Sequence, residues 1–191
     1  MPQPTRILAW HFGQGQILSH GDDRPVIDGH SLHVNGDIEP CVRGLHGSER
    51  AIDALMYQQG PIVSRVELFG TLVPHGDPTD KWAASDRLQL WHTDAAETLR
   101  RCATWCTVQA LKAAYAQGIE PEISIMESYA TDAATATDAA VRAAVVAACA
   151  AEAAACAAAT DAAAARTAVA AQNTELARRL LLLAPTEGRA A

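Results

Sequence analysis

Apolar and polar positions follow different periods in the two parts of the chain. Up to residue 92 the apolar residues come in short runs broken by turn formers. Arg6-Ile-Leu-Ala-Trp-His-Phe12 is rich in strand formers and ends at Gly13-Gln-Gly15. Ser31-Leu-His-Val34 precedes Asn35-Gly36, a pair that tolerates the positive φ of a type I′ turn and so predicts a hairpin. Ser48 is placed to cap a helix over Glu49–Gln58, where Ile52, Leu55 and Met56 share one face. Pro61 to Val73 predicts the longest strand, with Gly70 marking a bulge. A loop follows from Pro74 to Asp80, and Asp86-Arg-Leu-Gln-Leu-Trp91 alternates as a half-buried strand.

Beyond residue 93 the period becomes helical. Between Ala130 and Ala171, 25 of 42 residues are alanine, the best helix former. Thr-Asp-Ala-Ala recurs at 93–96, 131–134, 137–140 and 160–163, each time offering a threonine cap and an aspartate suited to the positive end of the helix dipole. Helices are therefore predicted at about 94–117, 122–131, 137–158 and 161–183. The expected class is α+β: a small mixed or antiparallel β domain with one helix over 1–92, then an Ala-rich antiparallel helical bundle over 93–191. Short connections at Thr93 also allow one continuous core.

Composition sharpens this picture. All seven histidines, ten of twelve glycines and seven of nine prolines lie before residue 93. Charge does not follow the break, since the first 92 residues carry 7 basic and 11 acidic groups and the rest 8 and 11. A net charge of −7 argues against holding nucleic acid by phosphate neutralisation. No long uncharged apolar run predicts a membrane span, and the first residues lack the apolar core of a secretory signal. Five cysteines without close-set pairs suit a reducing cytoplasm. Cys102 and Cys106, like Cys149 and Cys156, share helix faces and read as small apolar core groups, with Trp105, Val108, Leu111 and Tyr115 as a second packing stripe.

The chemistry-bearing residues concentrate in the first part. Cys41, His46, His75, Asp77 and Asp80, and separately His20-Gly-Asp-Asp23, are donor types that bind divalent ions. Their spacing forms no helical His pair, Cys-x-x-Cys or compact triad, so neither a metal nor a cofactor is assigned. Leu45-His-Gly-Ser-Glu49 is not a nucleophile elbow, and Gly13-Gln-Gly15 lacks the third glycine of a phosphate loop. No catalytic residue is assigned. Trp10, His11, Cys41, His46, Asp53, His75 and Asp77 are the candidate lining of a ligand pocket.

Cys41-Val-Arg-Gly-Leu-His-Gly-Ser48, followed by Ala51-Ile-Asp-Ala-Leu55, Arg65-Val-Glu-Leu-Phe-Gly70 and His75-Gly-Asp77, resembles a family of uncharacterised domains of phage and bacterial proteins with a C-x-x-G-L-H motif, over about residues 8–112. The Ala-rich remainder is similar to helical immunity proteins of bacterial toxin systems. Together these resemblances imply a non-enzymatic accessory or immunity-type protein of the cytoplasm that binds and blocks a partner protein, a host defence or toxin component. The alternative is an enzyme: a metal-dependent hydrolase using the N-terminal His and Asp residues, or an NAD-binding transferase. The Gly-Leu-His turn, helix and long strand resemble the centre of ADP-ribosyltransferases, with Trp10-His11 on the nicotinamide side. Glu67, the one glutamate placed in a strand, comes too early for the catalytic position of that family. Homo-oligomerisation through the Ala-rich helices is the third reading.

Overall fold

A computed structural model describes residues 5–15, 17–18, 24–116 and 162–185. The chain divides into two compact units, Met1–Ala95 with Leu180–Ala191, and Ala96–Arg179. The class is α+β. In the first unit β1 (Arg6–Gly13), β2 (Ser31–His33), β3 (Leu45–Gly47), β4 (Ile62–His75) and β5 (Lys81–Asp94) form one antiparallel sheet, and α1 (Ala51–Met56) lies between β3 and β4 in sequence.

β5 is the organising strand. One side pairs with β4 along nearly its full length, from His75↔Lys81 to Ile62↔Asp94. The other side is shared end to end by β3, opposite Trp82–Ala84, and β2, opposite Asp86–Leu88. β1 closes the far edge of β4 through eight register pairs from Arg6↔Phe69 to Gly13↔Ile62. From Trp82 to Gln89 the strand is therefore engaged on both edges, with Val34 N–H on Ser85 O and Gln89 N–H on His30 O filling the places between and after β3 and β2. Ile7, Ala9, Val66, Leu68, Leu72, Trp82 and Ala84 form one core cluster. Leu18, Val26 and Leu45 form a second, with Leu32 and Val34 packed on it.

Several sequence expectations need correction. Asn35-Gly36 does not join neighbouring strands, although Gly36 has φ +90°. β2 pairs instead with β5, and Val34 N–H donates to Ser85 O at 2.8 Å. Ser48 does not cap α1. It is buried and exchanges both backbone hydrogen bonds with Trp10, at 2.8 and 3.0 Å, while Arg50 stands at the N-cap without a side-chain bond. The segment Pro74–Asp80 is not a loop throughout: β4 runs on to His75, a turn spans residues 76–79, and Lys81 already belongs to β5. Gly70 does mark an irregularity. It has φ +76°, the β4–β5 register shifts between Phe69 and Leu72, and an added Cβ would run into Ser85 Oγ and Asp86 Oδ2. Thr71 N–H uses the gap to donate to Ser85 Oγ at 2.9 Å.

The phase of β5 is the largest departure. The apolar residues of its alternating stretch were expected to face inward, yet Arg87 and Gln89 are each 1% exposed while Leu90 is 38% exposed. Lys81, Ala83 and Ser85 continue the buried phase towards the start of the strand. Register with β4 fixes which set goes inside, and a one-residue change of phase exchanges the sets.

In the second unit α2 (Ala96–Ala116) carries Leu99, Cys102, Ala103 and Cys106 as buried residues, which agrees with the apolar reading of both cysteines. Val108 and Tyr115 are exposed, against their expected packing role. A third described helix, α3 (Ala162–Leu181), carries Glu175 near its C-terminal end, where hydrogen-bonded ion pairs to Arg178 and Arg179 hold the carboxyl down at about 2. The helices predicted at 122–131 and 137–158, together with Cys149 and Cys156, lie outside the described residues.

Close packing of β3 on β1 and β4 sets a steric prediction. A Cβ on Gly47 would stand 2.8 Å from the Ala9 Cβ and 3.3 Å from Leu68 Cδ1. Gly47→Ala is expected to lower unfolding stability by about 1–3 kcal/mol in urea titrations. Gly13→Ala, whose Cβ meets nothing closer than 4.0 Å, is expected to stay within about 0.5 kcal/mol.

Candidate functional site

A cavity of about 550 Å³ opens between β1, β3, the start of β5, the end of α1 and the loop around residue 41. Four elements supply its wall. β1 gives Trp10, His11 and Phe12; β3 gives Leu45, His46 and Gly47. β5 gives Lys81 and Arg87, and Tyr57 stands at the C-terminal cap of α1. Leu18 and Val34 bring the second core cluster to the same wall.

The loop around Cys41 is a tight backbone ring. Glu39 and Arg43 exchange hydrogen bonds at 2.9 and 2.8 Å, and Val42 N–H donates to Glu39 O at 3.1 Å. Closing so short a loop puts Cys41 at φ +68°, a left-handed conformation that non-glycine residues seldom take. Cys41 N–H donates to His46 Nε2 at 3.3 Å, which ties the loop to β3. Gly44, at φ +143°, makes the close approach that lets the chain enter β3, with Ala83 Cβ and Ile38 Cγ2 within 3.2 Å of where its own Cβ would stand.

From the sulfur a line of contacts runs along the floor. Lys81 Nζ donates to Cys41 Sγ at 3.1 Å and lies 3.7 Å from the centre of the Tyr57 ring. That placement lets the ring face attract an ammonium that is only 7% exposed. The Tyr57 hydroxyl donates to Asp80 Oδ2 at 2.6 Å, and His75 Nδ1 stands 3.1 Å from Asp80 Oδ1 and 3.4 Å from the Tyr57 oxygen. The Tyr57 and His75 rings meet edge to face at 6.1 Å. Burial, the bond to Asp80 and that carboxylate's charge push the Tyr57 phenol up to about 12. Burial acts to raise Asp80, but the hydrogen bonds from Tyr57 and His75 outweigh it and hold the carboxyl below the usual range.

The expected pocket is therefore brought together in part. Trp10, His11, Cys41 and His46 line the cavity. His75 stands behind the wall and reaches it through Tyr57 and Asp80. Asp53 does not line the cavity; it sits on α1, 3.4 Å from Arg50 Nε. Its carboxyl is raised by burial and by the Asp80 charge, with Arg50 acting against both. Asp77 is exposed in the turn after β4, which carries it away from the wall. No three His, Cys, Asp or Glu side chains among the described residues converge on a metal-sized space. The His20-Gly-Asp-Asp23 cluster lies outside those residues. Glu67 forms an ion pair with Arg6 at 2.7 Å and is not part of the cavity wall.

Sequence reasoning missed Arg43, Tyr57, Lys81 and Arg87 as lining residues. The one available signal was polar density in the β5 stretch, where Lys81, Arg87 and Gln89 occupy alternate positions of a central strand. Trp10 is also fixed more firmly than its sequence position implies: Arg65 lies 4.3 Å from its ring centre and Trp91 packs edge-on at 6.0 Å.

The hydrogen-bonded phenol gives a spectroscopic prediction. A raised phenol pKa means the folded state keeps its proton longer, so this interaction is intact below pH 10, the ordinary value, and is lost as pH rises through about 12. An alkaline titration of tyrosinate absorbance is expected to show one late step, moved to lower pH by Asp80→Asn. A late step unchanged in that variant would refute the assignment.

No family model matches this chain, and no match emerged among curated proteins or solved structures.

Proposed function

We propose that the β domain is a binding module for a small anionic molecule, taken into the cavity beside Lys81. One observation carries the reading: in a chain of net charge −7, the described residues of the cavity wall include Arg43, Lys81 and Arg87 with His11 and His46, and no carboxylate is among them. Two nearby carboxylates have other partners. Glu49 Oε1 accepts from Trp82 Nε1 at 2.9 Å, and Asp80 takes Tyr57 and His75.

Physical chemistry favours an anion there. Lys81 is 7% exposed and lies at the cavity wall, and withdrawing positive charge from water is costly unless a negative group answers it. A ligand anion offsets that cost in a setting where Coulomb attraction is stronger than at the surface. Trp10, Phe12, Leu18 and Leu45 make the rest of the wall apolar and aromatic, so the anion is attached to an apolar or flat body. The volume, about 550 Å³, lies inside the range of small-molecule sites. A nucleotide has this combination of charge and ring, in keeping with the NAD-binding alternative. The reading stops at binding, because Glu67 is engaged with Arg6.

A second reading, the accessory protein that binds and blocks a partner, is favoured by exposed apolar groups. Val42, 72% exposed, stands at the cavity rim, and Met56, 65% exposed, precedes Tyr57 at the end of α1. Under it, Val42→Asp abolishes a stoichiometric complex without changing anion binding.

The first reading is tested by calorimetry and thermal unfolding with inorganic phosphate, pyrophosphate, AMP and ADP-ribose. A true ligand at about a hundred times its Kd stabilises the fold by about 2.7 kcal/mol. Arg43→Ala and Lys81→Met are expected to remove most of that gain. Identical melting curves with every anion, in a protein that unfolds cooperatively, would overturn the reading.

A further inference from the structure

We propose that Cys41 is the reacting group of this cavity: a nucleophilic thiol that accepts the acyl group of an anionic acyl donor, the acyl phosphates being the class that fits. The proposal rests on the anion-binding reading above and adds chemistry to it.

Two independent observations meet at the sulfur. The first is a built nucleophile environment. Lys81 Nζ donates to Cys41 Sγ at 3.1 Å, and the ammonium is held over the Tyr57 ring, itself fixed by Asp80. A cysteine side chain acts as a nucleophile when its sulfur is reachable and held by a neighbouring group in a fixed geometry. Cys41 is exposed, unlike the buried Cys102 and Cys106, so a substrate reaches it. The second observation concerns the ligand. The same wall carries Arg43 beside Lys81, with no carboxylate among its described residues, which suits a group that leaves as an anion.

The step balances with these residues alone. The Cys41 thiol sulfur attacks the acyl carbonyl carbon, and a carbon–sulfur bond forms as the S–H bond breaks. The bond from that carbon to the phosphate oxygen breaks, and its electron pair leaves with the phosphate, which takes up the thiol proton. Charge grows on the phosphate as it departs, where Lys81 and Arg43 stabilise it. The product is a thioester on Cys41 and free phosphate; no oxidant, reductant or metal enters. Left-handed backbone at Cys41, closed by the bond to His46 Nε2, turns this side chain to the cavity where an extended strand residue would alternate away from it.

Two reagents separate the components. Free thiolates react faster with neutral iodoacetamide than with iodoacetate, because sulfur and carboxylate repel each other. At Cys41 the order is expected to invert, with iodoacetate favoured by roughly tenfold or more, the gain a cation-lined cleft gives an anion. Inorganic phosphate should slow that labelling, and acetyl phosphate should acetylate Cys41, read by peptide mass mapping and absent in Cys41→Ser. Lys81→Arg, which keeps the charge, should retain the preference, and Lys81→Met should lose it while melting cooperatively. If Cys41 labels no faster than free cysteine with either reagent and takes no acetyl group, while phosphate still raises the melting temperature, the nucleophile proposal fails and the binding reading stands. Fast labelling by iodoacetamide without preference for iodoacetate, and without protection by phosphate, would overturn both.

Discussion

The register of β5 against β4 is the constraint on which the rest of the β domain depends. Because β5 is paired on both edges, its side chains have no exposed backbone edge to turn to, and phase alone decides which set is covered. From Trp82 to Gln89 the strand alternates without a change of phase, so its two faces divide the work: Trp82 and Ala84 on one face join the apolar core, and Arg87 and Gln89 on the other are buried in the same phase as Lys81, Ala83 and Ser85. The Phe69/Leu72 irregularity, at Gly70 with φ +76°, adjusts β4 to that alternation. A single strand thus serves an apolar core with one face and a cation-bearing wall with the other.

Burying Lys81 and Arg87 works against stability, and several contacts reduce that cost. Lys81 has the Tyr57 ring face and the Cys41 sulfur. Tyr57 in turn has the Asp80 carboxylate, and Asp80 has His75. Each group in this line holds the next, so the wall residues Cys41, Lys81 and Tyr57 are braced from behind by Asp80 and His75 at the turn joining β4 to β5. The short backbone ring from Glu39 to Arg43 supplies the remaining constraint. Local strain at Cys41 is sustained there by pairing on both sides, a pattern associated with functional positions.

Much of the fold is legible in the sequence. The apolar runs of β1 and β4 carry their own period, and Gly70 declares its bulge, whereas Thr93 and Asp94, expected to open a helix, end β5 and leave α2 to begin at Ala96. Ser48 misleads because a cap and a bridge partner look alike in one dimension: only the position of Trp10 shows that its backbone is already engaged. Asn35-Gly36 misleads similarly, having turn chemistry without a strand beside it to pair. Of the candidate site, Trp10, His11, Cys41 and His46 were visible because each is an unusual residue within a compact motif. Lys81 and Arg87 were hidden because a basic residue in a strand reads as solvent-facing until register says otherwise.

Charge distribution then decides what kind of anion can arrive. The chain is acidic as a whole, and over the first 92 residues acidic groups outnumber basic ones by 11 to 7. A polyanion such as nucleic acid spans many residues of surface and meets that excess, which opposes its approach. A small anion of the kind proposed needs only the wall, whose described residues include basic groups and no carboxylate. Within a few ångströms the nearest charges dominate, because screening and distance weaken the rest. On the anion-binding reading proposed above, this distribution favours compact anions over extended ones, and size selection then follows from electrostatics before any shape is considered. Aromatic and apolar walls select further, for an anion carrying a body that water does not hold.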